Sequence, residues 1–109
     1  MANVLTLSDD GPQLDGERAA LDLLAEAFGA DARTVVVPVR RLAPSFFVLR
    51  TGVAGAITQK FVQYGVRLVV LGEPTTTEGP VGDWIREANR GGDLWFVADP
   101  AELEARLSR

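Results

Sequence analysis

The chain has 109 residues, 47% of them hydrophobic and 24% charged, enough for one compact core and too few for a second domain. It contains neither Cys nor His, which excludes disulfides, thiol and imidazole catalysis and zinc sites built on those side chains. Eleven basic against fifteen acidic residues leave a net charge of −4, an argument against nucleic acid or an anionic membrane surface as partner.

At the amino terminus Asp9 and Asp10 interrupt the apolar run, so no signal peptide is read there, and no apolar stretch approaches the roughly 20 residues of a membrane span. A cytoplasmic protein is expected. Val4–Leu7 reads as a short strand, followed by a turn rich in Asp, Gly and Pro, with a brief strand at Gln13 and Leu14. The first helix is predicted over Gly16–Phe28 with Asp15 as its cap; Ala20, Leu21, Leu24 and Phe28 share one face, and Gly29 ends it. Thr34–Val37 is a β-branched run closed by Pro38, the pattern of a strand buried on both faces.

A single turn is expected over Pro44–Val48, and a second helix over Thr51–Gly65 with Thr51 as cap and Gly65 as stop. Val66–Leu71 follows as the central strand. The polar loop GEPTTTEGP, including Thr75–Thr77, leads to a third helix that opens at Pro80 and places Val81, Trp84, Ile85 and Ala88 at core spacing. Asn89 and Arg90 stand before Gly91 and Gly92, which read as a carboxyl-terminal cap with a left-handed glycine. Leu94–Ala98 is the fourth strand. Asp99, Pro100 and Glu102 have the spacing of a cap, a first-turn proline and a third-position acid of a last short helix. Strands and helices alternating in this way predict an α/β fold, a four-stranded, mostly parallel sheet with covering helices. Trp84, Trp95, Phe96 and Phe28 are core candidates.

The densest feature is the segment Arg50–Gly65. On a helical wheel Val53, Ile57, Phe61 and Tyr64 form the inner face, whereas Gly52, Gly55, Ala56, Gln59 and Gln63 line up on the outer one. Each interior Gly costs a helix roughly 1 kcal/mol relative to Ala, so a bare flank calls for compensation. Either a partner or ligand lies against it, or a loop of the same chain covers it. Arg50, Thr51 and Gly52 stand at a helix start, where outward N–H groups could receive an anion; Thr51 as a plain cap is the competing reading. Lys60 lies too far along to close over that anion, and the spacing does not match a phosphate-binding loop. Asn89 and Arg90 either cap their helix or reach a partner or the Arg50–Gly52 region. The carboxylate pairs read as surface solvation.

The run FFVLRTGVAGAITQKFVQY, with EANRG after it, resembles a bacterial family of domains of unknown function, DUF4180. Phe46, Phe47, Leu49, Arg50, Thr51, Gly52, Ala54, Gly55, Gln59, Lys60, Phe61 and Tyr64, then Glu87, Asn89, Arg90 and Gly91, carry the pattern. Ala56 departs from it, standing where the resemblance implies an acid. The resemblance implies a fold and a choice of surface and names no reaction. The layout is also similar to that of STAS domains, with Thr51 at the place of their regulatory hydroxyl.

Three functions are therefore carried forward. The first is a regulatory or interaction domain that binds a protein partner, or a second copy as a homodimer, through Gly52, Gly55 and Gln59, with Arg50, Thr51, Lys60, Asn89 and Arg90 nearby. The second is a module for a small anionic ligand at Arg50–Gly52, with Glu73 or Asn89 orienting it. The third, ranked last, is an enzyme using carboxylates and Lys60, for which no nucleophile and base pair can be named. No catalytic residue, metal ligand or cofactor is indicated.

Overall fold

A computed structural model describes residues 3–74 and 77–108; Thr75 and Thr76 of the predicted polar loop lie outside the described residues. Four strands, β1 (Val4–Thr6), β2 (Thr34–Pro38), β3 (Arg67–Leu71) and β4 (Leu94–Val97), alternate with helices α1 (Glu17–Gly29), α2 (Val53–Gln63) and α3 (Gly79–Arg90), and α4 (Pro100–Leu107) follows β4. All neighbours pair in parallel and the order is β1-β2-β3-β4. The expected brief pairing near Gln13 exists as a single bridge between Leu14 and Leu42.

Sequential order has a consequence for layering. Right-handed crossovers that always step in the same direction put every connecting helix on one face of the sheet. Val35, Val37, Leu68, Val70, Leu94 and Phe96 accordingly pack against Ala20, Leu24, Ile57, Phe61 and Ile85 of α1–α3. The alternate residues Val36, Val69, Trp95 and Val97 face the other way and are covered by Leu103 and Leu107 of α4. Helices on both faces explain why β2 and β4 are buried at every position. Full burial of a residue such as Ile57 or Phe61, each 0% exposed, contributes about 1.5–3 kcal/mol.

The segment between β2 and α2 is more regular than expected. Three short 3-10 turns, Val39–Arg41, Pro44–Phe47 and Leu49–Thr51, fold Phe46 and Phe47 inward. Their rings meet edge to face at 5.2 Å, and Phe46–Trp84 and Trp84–Phe96 contacts of 5.7 and 5.4 Å carry the aromatic cluster across to α3 and β4. The two phenylalanines thus anchor the start of α2 to the core.

Several expectations need correction. The buried side of α1 is Ala20, Leu23, Leu24 and Ala27; Leu21 and Phe28, read as sharing one face with Ala20 and Leu24, are exposed, Phe28 against its reading as a core residue. Tyr64 is 44% exposed, while Ala54 takes an inner position on α2. Gly16, not Asp15, precedes the first turn of α1, with no side-chain cap. Gly91 ends α3 in an extended conformation instead of a left-handed one. Asp99 caps α4 as expected, its carboxylate accepting from the Glu102 N–H at 2.9 Å. Among the described residues no helix is long and apolar enough to cross a membrane.

Candidate functional site

Helix α2 begins two residues later than its pattern predicts because Gly52 breaks the backbone. It sits at φ 74°, in the left-handed region that favours glycine, closing the Leu49–Thr51 turn on one side and preceding α2 on the other. Thr51 still works as a cap from one position further out. Its hydroxyl oxygen accepts from the Val53 N–H at 3.2 Å and its proton is shared between the carbonyls of Ser45 and Val48, at 2.9 and 2.7 Å.

These bonds bear on the expected anion cradle. The N–H groups of Thr51 and Gly52 donate to the carbonyls of Val48 and Leu49, at 3.0 and 3.1 Å, and that of Val53 is taken by Thr51. The turn is therefore satisfied from within. Arg50 is exposed and forms no ion pair among the described residues.

Gly52, Gly55 and Gln59 are all exposed, so the outer flank of α2 is open. A Cβ added at Gly52 or Gly55 would meet no atom of the described residues within 4 Å. Among the described residues no neighbouring loop covers the flank. Lys60 leans away from this crest toward α1, where its ammonium pairs with Glu17 at 3.1 Å, and it also donates to Gln63 at 3.5 Å. Large apolar side chains that the core does not take up are concentrated on α2, on the turn before it and on α1. Of the seven exposed ones among the described residues, Val48 and Leu49 precede α2, Val62 and Tyr64 belong to it or its end, Leu21 and Phe28 belong to α1, and only Val4 lies elsewhere. Phe28 and Tyr64 meet edge to face at 5.9 Å, joining the ends of the two helices.

Asn89 is not part of this surface. Its side-chain oxygen accepts from the Phe96 N–H at 2.7 Å and its amide donates to the Phe96 carbonyl at 3.3 Å, so it completes the hydrogen bonding of the edge strand β4. Arg106 of α4 donates to the Asn89 carbonyl at 2.7 Å. The Gly91 carbonyl accepts from the Trp95 indole N–H at 2.7 Å. Arg90 pairs with Glu87 at 3.1 Å on the surface. The expectation that Asn89 reaches a partner or the Arg50–Gly52 region is therefore corrected: its polar atoms are committed to β4.

Two arrangements escape a sequence reading. Arg41 donates to the carbonyls of Pro12 and Ser8 and pins the loop after β1, beside a cavity of about 170 Å³ whose walls include Leu7, Leu14, Leu23 and Val37. Trp95 carries two guanidinium groups over its ring, Arg67 at 4.0 Å and Arg106 at 4.1 Å from the centroid. Neither contact has a local sequence signal, since the partners are far apart in the chain. Among the described residues no group of three or more acidic side chains could hold a metal ion.

The class is thus a small α/β domain with a four-stranded, all-parallel sheet and a bare second helix. The family model described as domain of unknown function (DUF4180) matches residues 1–107, and the chain belongs to that family. No curated protein and no solved structure matches it, so the likeness to STAS domains rests on layout alone.

Proposed function

We propose that this protein is an interaction module that self-associates through the outer surface of α2, as part of a regulatory role in the bacterial cytoplasm. The observation that carries the reading is the concentration of exposed apolar side chains on α1, α2 and the turns before α2, together with a crest whose glycines have no other described residue within reach of an added Cβ. Exposed apolar side chains gathered on neighbouring elements of a small domain, two of them in contact as Phe28 and Tyr64 are, favour an interaction site. The crest residues Gly52, Gly55, Ala56, Gln59 and Gln63 are uncharged, which lets two copies approach despite a net charge of −4 on each. Glutamine amides both donate and accept, so Gln59 and Gln63 can pair with themselves across a twofold axis.

Sedimentation equilibrium on the full chain tests this. Dimerisation that strengthens with concentration and is lost in Gly55→Arg, with circular dichroism unchanged, is the expected result. A strict monomer at high concentration, or association indifferent to Gly55→Arg, overturns it.

A further inference from the structure

At the amino ends of β2, β3 and β4, on the opposite rim from the start of α2, lies a groove of about 270 Å³ lined by Arg33, Thr34, Gly65, Arg67, Gly92 and Asp93. We propose that it is a binding site for a small oxyanion, a carboxylate or phosphoryl group, on a ligand that also carries a hydrogen-bond donor. Thr34 and Arg67 are direct partners across β2 and β3, so their side chains stand next to each other on the same face of the sheet, with neighbouring strands about 4.8 Å apart. Thr34 is only 3% exposed as a residue, and its hydroxyl makes no hydrogen bond among the described residues. Thr58 Oγ1 is the one fully buried side-chain oxygen or nitrogen without a partner among the described residues, so the Thr34 hydroxyl is not sealed from solvent and is free to bond a ligand in the groove that Thr34 lines.

Arg67 is held ready for the same ligand. Its Nε donates to the Gly92 carbonyl at 2.8 Å and its guanidinium lies over Trp95, which fixes the plane of the group. Both terminal nitrogens are left without an acceptor among the described residues, and a fixed planar fork suits a carboxylate or phosphate. Arg33 is exposed and forms no ion pair, and it supplies a second positive charge. Asp93 is the one carboxylate in the groove; two cations against it leave the site with a net positive charge, and it is placed to accept from a hydroxyl or ammonium on the ligand. Space is kept by Gly65 and Gly92, where an added Cβ would meet nothing of the described residues within 4 Å.

The test is amide NMR of the full chain in the Gly55→Arg background, which separates this site from self-association, titrated with sodium phosphate and with sodium acetate against sodium chloride at matched ionic strength. Saturable shifts of Arg33, Thr34, Arg67 and the Trp95 indole N–H are expected with one of the two probes, and the tighter probe identifies the group. Thr34→Val and Arg33→Gln should each weaken binding about tenfold, the scale of one charge-assisted hydrogen bond. Arg33→Gln changes only an exposed side chain, so it decides the matter if Thr34→Val fails to fold. Shifts linear in concentration with both probes, or affinities unchanged in the folded variants, overturn the proposal.

Discussion

The start of α2 and the end of α3 look alike in the sequence, each an Arg followed closely by glycine, and the fold treats them in opposite ways. At the end of α3 every polar feature except Arg90 is turned inward: Asn89 binds both backbone groups of Phe96, Gly91 receives the Trp95 indole, and Arg106 closes over the pair. At the start of α2 the hydrogen bonds stay within the turn, and Gly55 and Gln59 are left facing outward. The difference lies in what each end adjoins. β4 is an edge strand whose outer backbone groups need partners, and Asn89 provides them. α2 lies between α1 and α3 in chain order with its inner face filled by Ile57 and Phe61, and among the described residues its back is left uncovered at Gly55 and Gln59.

The largest test of this contrast is Asn89→Leu, which leaves the Phe96 N–H and carbonyl unpaired at a residue only 6% exposed. It should lower stability by about 2–4 kcal/mol in urea unfolding, and a loss well below 1 kcal/mol would mean that β4 does not depend on Asn89. Arg106→Ala removes a hydrogen bond to Asn89 and a guanidinium from Trp95 and should cost about 1–2 kcal/mol by the same measurement. Gly52→Ala forces a Cβ into a left-handed position and should cost about 1 kcal/mol, readable as a lower thermal midpoint. The smallest effect has the opposite sign. Gly55→Ala should stabilise the monomer by about 0.5–1 kcal/mol, because the site has room for the methyl group and Ala favours helix. If that variant is more stable yet self-associates less, the bare crest serves contact and not folding.

Much of the architecture is legible from residue order. β-branched runs gave the positions of β2 and β3, Asp99-Pro100 gave the start of α4, and Gly65, at φ 68°, follows the end of α2 as expected. The open flank of α2 was also readable, since the wheel separates Gly55 and Gln59 from Ile57 and Phe61 without reference to any other element. Phe28 and Tyr64 were misassigned because hydrophobicity marks a side chain as worth burying without showing that a neighbour exists to bury it. The commitment of Asn89 to Phe96 was hidden for a related reason. An amide before two glycines serves equally as a cap or a contact until the edge strand is placed beside it.

Local covalent preference and periodicity therefore determined the elements, their parallel tendency and the polarity of each helix, because these depend on residues within a turn or two of one another. Strand order, the shared face of α1–α3, the commitment of Asn89 and the meeting of Thr34 with Arg67 were decided only by the packed sheet. Such contacts join residues far apart in the chain, and burial and hydrogen bonding select among many locally equivalent pairings only once the whole core has closed.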